Sequence, residues 1–213
     1  MKGLTAQMVD AQKAFDEENY DKAKSATEYF LAQYPKDVDA LYLYSQVLIA
    51  TKQLLKAREK ANEILAIDPT LPEANAILGE VHYRRKEFSE AVRLSRDALK
   101  KNPKLQAPYR VIGEIYLRQG NVKESIKVLL EAHSLGPNDV ETMKKLSAAF
   151  IKDKNYKEAK IYLDKAMERD DHVPGVHYNL AVVYANQDNG SKAMEHIDLA
   201  LEYYIKLDTF FWA

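Results

Sequence analysis

Proline recurs at a fixed interval, and this spacing constrains the fold more than any other feature of the sequence. The four prolines that share it are Pro35, Pro69, Pro103 and Pro137, and the interval between successive members is constant. Because proline lacks an N–H and clashes with the preceding helical turn, each of them is expected to end a helix. The spacing therefore predicts a structural unit of about 34 residues that repeats along the chain.

Small residues recur at the same interval. One column consists of Ala11, Ser45, Gly79, Gly113, Ser147 and Ala181, and a second of Ala23, Ala57, Ala91, Ser125, Ala159 and Ala193. Packed helices lie about 8–10 Å apart, and small side chains at the crossing permit the close approach. The two columns predict that each unit is a pair of antiparallel helices, which gives twelve helices and no sheet.

The two units at residues 72–105 and 106–139 carry the pattern most fully, with small residues at the crossings, a closing proline and, in the second, Tyr109 and Tyr116 in the first helix. In these features the chain resembles the tetratricopeptide repeat family. The resemblance covers nearly the whole chain and implies an all-α fold, an α-solenoid of about six helix-turn-helix repeats that forms a right-handed superhelix. The repeats of this single array, residues 1–213, are expected at 4–37, 38–71, 72–105, 106–139, 140–173 and 174–207.

The first and last repeats depart from the pattern. Gln7 and Asp10 replace apolar residues of later repeats, as is usual for a terminal repeat that faces water. The last repeat lacks the closing proline and is followed by residues 208–213, which we interpret either as the start of a further helix that is cut short or as a capping end. The aromatic segment 210–212 is expected to pack near Tyr203 and Leu207 or to mediate contacts between chains.

Composition excludes several classes of function. The 31 lysine and arginine residues are balanced by 32 acidic residues, so the basic excess that non-specific nucleic-acid binding requires is missing. The longest apolar stretches are too short to insert into a membrane. The chain has no cysteine, which excludes disulfides and thiol catalysis. No signal peptide is recognisable, so we expect a cytoplasmic protein, with a periplasmic portion of a larger protein as the alternative.

No catalytic or metal-binding pattern is present. No two of the five histidines have the spacing of four residues that places two imidazoles on one helix face, and His82 falls in a packing column. Nucleophile-elbow and phosphate-loop motifs are also missing. We therefore expect no catalytic residue, no metal and no cofactor, and we predict that the protein is not an enzyme.

The family resemblance implies that a partner binds in a concave groove lined by the first helix of each repeat. The candidate peptide-binding residues in these helices are Tyr42, Ile49, Tyr83, Arg84, Arg110, Leu117, Arg118, Lys144 and Lys152. The groove is expected to be apolar toward the N-terminal end and basic in its middle. The expected ligand is a protein or peptide with acidic residues.

A simpler interpretation of the same residues remains open. Arg84 and Arg118 each follow a glutamate by four residues, and such pairs stabilise a helix surface by about 0.2–0.5 kcal/mol. Lys152 is different, because Ala148 offers it no partner one turn earlier. The apolar column Phe15, Ile49, Tyr83, Leu117 and Ile151 could equally pack between neighbouring repeats.

The leading hypothesis is a non-catalytic scaffold that holds a partner's peptide or helix and organises a multiprotein assembly. The alternative is the repeat portion of a longer enzyme or of a secretion or polysaccharide-export machine. Self-association through the repeat ends or the segment 210–212 is a third possibility.

Overall fold

A computed structural model of the chain describes residues 6–17 and 19–210, and the side chains of all of these except 206–210. Its helices are α1 (Ala6–Asp16), α2 (Tyr20–Gln33), α3 (Val38–Ala50), α4 (Leu54–Ile67), α5 (Pro72–Arg84), α6 (Phe88–Lys101), α7 (Gln106–Arg118), α8 (Val122–Leu135), α9 (Val140–Lys152), α10 (Tyr156–Met167), α11 (Pro174–Ala185) and α12 (Gly190–Phe210). The described ranges contain no strand, and the predicted all-α fold of twelve helices is confirmed. The prediction for the aromatic segment 210–212 falls on residues or side chains outside the described ones.

The helices alternate between two roles, and we call the odd-numbered ones first helices and the even-numbered ones second helices. Within a hairpin such as α5–α6 or α11–α12, the first helix packs along the second. The chain divides into two compact units, Met1–Ile112 and Gly113–Ala213, with the boundary inside α7. Over the described ranges, no helix combines the length and the apolar character needed to cross a bilayer.

The turn has the same backbone conformation in the five hairpins whose turn residues are all described. Its residues with positive φ are Lys52, Lys86, Gly120, Lys154 and Asp188, with φ between 57° and 83°. The residue after the one with positive φ donates its backbone N–H to a carbonyl five residues earlier, as in the Schellman motif that ends many helices. Asn155 N donates to Phe150 O at 2.8 Å, and Asn121 N donates to Tyr116 O at 2.9 Å. The turn therefore fixes where each second helix begins.

Each unit has its own apolar core. In the first unit, buried residues of α3, α4 and α5 form the largest cluster, around Leu48, Ile64 and Ile77. In the second unit, one cluster runs from α8 to α11 and includes Leu129, Leu146 and Leu163, none of which is exposed. The predicted small residues lie at the crossings: in the second helices of both units they are buried, with exposed fractions from 0% to 6%.

Candidate functional site

Two apolar candidates of the predicted groove, Tyr42 and Ile49, lie in the first unit and pack against neighbouring helices. Ile49 is 7% exposed and belongs to the core cluster of α3, α4 and α5. Tyr42 packs against Ala76, Ala98 and Leu105, and its burial raises the pKa of its phenol, with Arg110 acting in the opposite direction. Ile49 therefore lies in the core of the first unit.

The cation of α5 is paired on its own helix. Arg84 Nε donates to Glu80 Oε1 at 2.8 Å, as the spacing of four residues suggested. The guanidinium also lies 6.0 Å from the centre of the Tyr83 ring. About half of the Arg84 side chain remains exposed, whereas Glu80 is mostly covered. Arg84 thus presents a positive charge at the surface although its carboxylate partner lies beneath it.

In the second unit, a network of ion pairs joins α7 to α9. Glu114 binds Arg118 at 3.1 Å on its own helix and Lys145 of α9 at 3.2 Å. Lys145 also binds Glu141 at 2.9 Å, and Glu141 binds Lys144. One face of two successive first helices therefore carries five linked charges.

The carboxylates of this network are stabilised in their charged form. Burial raises the pKa of Glu141, but Lys145 and Lys144 lower it by more, so that the pKa lies far below its ordinary range. In Glu114, Lys145 and Arg118 outweigh burial in the same way and lower the pKa. The Arg118 side chain is 57% exposed and forms the outer part of the network, whereas the two carboxylates and both lysines keep only 15–35% of their side chains exposed.

Lys152 extends this face along α9. Its Nζ donates to the backbone carbonyl of Leu117 on α7 at 2.9 Å, and its side chain is exposed. A carbonyl oxygen satisfies one donor of the ammonium group but does not neutralise its charge. Lys152 has no carboxylate one turn earlier, and in the structure its partner comes from the neighbouring first helix.

The first helices of the second unit carry more cations than carboxylates. Residues 113–118, 140–152 and 174–185 contain four basic residues and two acidic ones. The four cations are Arg118, Lys144, Lys145 and Lys152. We call these four residues, together with Tyr178 of α11, the basic face. Tyr178 is 62% exposed and stands one repeat after Lys144.

Helix α11 packs directly on α9 beside these residues. Asn179 Nδ2 donates to Ser147 Oγ at 3.0 Å. A β-carbon at Gly175 would lie 2.8 Å from Lys144 Cδ, so the absence of a side chain at Gly175 makes room for the lysine stem. Three successive first helices thus contribute to the face, and α11 adds uncharged residues to it.

The structure brings together four of the candidate residues, Leu117, Arg118, Lys144 and Lys152, on α7 and α9 of the second unit. Lys145 was outside the candidate set although it is the centre of the ion network. Two features of the sequence could have indicated it: Lys145 follows Glu141 by four residues on α9, and α9 is the next first helix after α7, which carries Glu114. Tyr178 was also outside the set, although it shares the column of Tyr42 and Lys144.

One group of potential metal ligands occurs within the described residues, at the turn between α10 and α11. Ligand atoms of Asp170, Asp171 and His172 lie within 4.8 Å of one another. His172 is an exposed side chain whose Nδ1 lies 2.5 Å from Asp171 Oδ1, a hydrogen-bonding distance. This contact accounts for the arrangement.

Comparison with known proteins identifies the fold. The model of the tetratricopeptide repeat matches residues 10–72 and 78–140, and a second model of the same description matches residues 150–204. No curated protein sequence matches the chain significantly.

Solved structures of low sequence identity share this fold. A chain of the APC/C hetero-tetramer Cut9–Hcn1 is 18% identical with a TM-score of 0.82, over 94% of this chain but only 38% of that one. PilF of Pseudomonas aeruginosa is 22% identical with a TM-score of 0.64, over 78% of this chain and 76% of that one. YrrB, a tetratricopeptide repeat protein with an unusual peptide-binding site, is 21% identical with a TM-score of 0.56, over 85% and 93% of the two chains.

Proteins of this fold are scaffolds for protein–protein interaction and are generally non-catalytic. Because the family models match well over half of the residues, the chain belongs to the tetratricopeptide repeat family.

Proposed function

We propose that the protein is a non-catalytic scaffold that binds an acidic segment of a protein partner on the basic face and thereby organises a multiprotein assembly. The observation that carries the proposal is the excess of two positive charges on the first helices of the second unit. Arg118 and Lys152 are exposed at this face, while Glu114, which binds Arg118, is largely covered. The tetratricopeptide fold supports a protein ligand, and YrrB shows that the fold accommodates a peptide.

The spacing of the cations suggests the pattern of the ligand. Arg118 and Lys152 occupy equivalent positions on successive first helices, and packed helices lie about 10 Å apart. An extended peptide advances about 3.3 Å per residue. One step between helices therefore corresponds to roughly three ligand residues, and we expect acidic residues at about every third position with apolar residues between them, in contact with Leu117 and Tyr178.

The charges should govern selectivity and association rate more than total affinity. An ion pair with a partly exposed arginine or lysine is worth about 0–1 kcal/mol. Charge complementarity accelerates encounter and disfavours partners of the wrong sign. Binding is therefore expected to weaken as the salt concentration rises.

The test is a selection from a random library of short peptides on three forms of the full chain. These are the wild type, the variant Arg118→Glu/Lys152→Glu, and the control variant Lys127→Glu/Lys157→Glu, which changes exposed lysines of the second helices α8 and α10. The wild type and the control should enrich peptides with Asp or Glu at about every third position, and the first variant should not. Enrichment without acidic residues, or the same peptides on all three forms, would refute the proposal.

A further inference from the structure

The last second helix exposes a continuous apolar stripe. Its residues are spaced by three or four positions along α12, so they share one helix face. They are Met194 (60% exposed), Ile197 (38%), Leu201 (56%) and Tyr204 (66%). A stripe of this kind on a folded domain marks an interaction surface when it is contiguous.

The repeat register shows what covers this face in the preceding hairpins. Leu163 and Leu129 stand one and two repeats before Ile197, and both have no exposed surface. Met167, which is equivalent to Leu201, packs into the cluster that contains Val176 and Leu180 of α11. In the second unit, this face of a second helix is therefore covered by the first helix of the following hairpin.

Helix α12 also differs from the other second helices in length and in composition. It has 21 residues, whereas the others have 12 to 14. Its additional turns include Tyr204, at the position where the preceding repeat has Asp170. The sequence thus lengthens the apolar face beyond what the repeat pattern requires.

The edge of the stripe is acidic. Asp198 follows Met194 by four residues and Glu202 follows Asp198 by four, so both carboxylates lie along one edge of the stripe. Residues 190–205 contain three acidic residues and one lysine, a net charge of −2. A helix that covers the stripe would be matched by lysine or arginine along the edge that meets these carboxylates.

End-to-end stacking of a second copy does not fit this face. The residues of α1 equivalent to Leu180 and Val183 of α11 are Asp10 and Lys13, which stand five repeats earlier. In α11 these two positions are 3% and 0% exposed. If α1 of another copy took the covering position, the charges of Asp10 and Lys13 would be buried against Ile197 and its neighbours, which is unfavourable.

We propose that α12 docks an amphipathic helix of a protein partner in the position that a first helix occupies elsewhere in the second unit. The partner helix has apolar residues at i, i+3, i+4 and i+7 and a basic edge that meets Asp198 and Glu202. This surface is separate from the basic face, selects a ligand of opposite charge, and does not depend on the proposed function. The protein thereby holds two different partner segments.

The test uses two synthetic helical peptides with the same apolar face, one with lysines and one with glutamates along the edge. Binding to the full chain is measured by fluorescence anisotropy at low salt, and sedimentation of the same samples gives the oligomeric state. The lysine peptide should bind at least ten times more tightly than the glutamate peptide. The double variant Asp198→Lys/Glu202→Lys should reverse this preference.

Apolar variants test the stripe itself. Ile197→Asp/Leu201→Asp should weaken binding of the lysine peptide at least tenfold, with the helical circular dichroism unchanged. The matched control is Ile161→Asp on α10, since Ile161 is also 38% exposed but occupies the position equivalent to Glu195. The proposal would be overturned if the two peptides bound equally or if neither bound. It would also be overturned if the wild type self-associated and Ile197→Asp/Leu201→Asp abolished this association, because a second copy would then cover the face.

Discussion

Gly113 faces Leu129 so closely that a β-carbon at Gly113 would lie 2.6 Å from the Leu129 Cγ atom. Leu129 is fully buried, and Ser125 Oγ donates to the Gly113 carbonyl at the same crossing. This contact explains why the column of small residues is needed where α7 meets α8.

Replacement of this glycine should therefore be costly. We expect Gly113→Leu to lower the free energy of unfolding by about 1–3 kcal/mol, because overpacking a filled crossing forces the helices apart. Urea denaturation measures the change. The matched control is Gly190→Leu, since a β-carbon at Gly190 meets nothing within 4 Å. Equal losses in the two variants would show that the crossing is not tightly packed.

Substitutions at two turn residues with positive φ are expected to change the free energy of unfolding in opposite directions. Lys154 has φ of 61° and Gly120 has φ of 83°, in the region that costs a residue with a side chain about 1–2 kcal/mol. Lys154→Gly should raise the free energy of unfolding by about 0.5–1 kcal/mol after the entropy of glycine is subtracted. Gly120→Ala should lower it by about 1 kcal/mol although the added carbon has open space. Thermal and urea unfolding of both variants test this, and changes of the same sign would contradict it.

The ion network predicts a loss of stability in acid. The pKa of Glu141 is lowered in the folded state, so its contribution is present above the unfolded pKa of about 4.3 and is lost as pH falls toward the folded value. At pH 7, Glu141→Gln should reduce the free energy of unfolding by about 1 kcal/mol, since solvent screens a side chain that is 35% exposed. The difference from the wild type should shrink steadily below a pH of about 4.3. Glu131→Gln, on the exposed face of α8, is the control and should show little change at either pH. A difference for Glu141→Gln that is independent of pH would contradict the assignment.

A histidine pair joins the two helices of the last hairpin and predicts a second pH dependence. The Nδ1 atoms of His177 and His196 are 3.0 Å apart, and His177 Nε2 donates to the Asp171 carbonyl at 2.6 Å. Burial lowers the pKa of His196, and His177 lowers it further. The other charged residues that act on this ring are Glu195, which raises its pKa, and Lys192 and Lys160, which lower it.

Because the folded pKa of His196 lies below the unfolded one, the unfolded chain takes up the proton first as pH falls below about 6.5. As the pH falls from about 6.5 to the folded pKa of His196, this residue therefore lowers the free energy of unfolding. His196→Gln should unfold with a weaker dependence on pH than the wild type between about pH 7.5 and 5.5. Identical pH profiles for the wild type and His196→Gln would contradict this assignment for His196.

Much of the fold was predictable because it depends on columns that repeat in register. Proline and small residues at a constant interval determine where helices end and cross, and the twelve helices follow from them. The turn conformation was not predictable in the same way. Among the turn residues with positive φ, Gly120 is the one glycine. Lys52, Lys86 and Lys154 adopt a positive φ because the surrounding hairpin imposes this conformation.

The candidate site was predictable only within single helices. The pairs Glu80–Arg84 and Glu114–Arg118 follow from a spacing of four residues, and both are formed. The contact between Lys145 and Glu114 joins residues on two different helices, and it depends on how those helices pack. Local spacing carries no information about such contacts.

The central claim is that an acidic segment binds on the first helices of the second unit. Hydrogen–deuterium exchange of the full chain, with and without a peptide from the library selection, tests it most directly. We predict slower exchange in residues 113–118, 140–152 and 174–185 when the peptide is bound, with α8 and α10 unchanged. Protection confined to α8 and α10 would contradict the claim, because it would place the binding surface on the second helices.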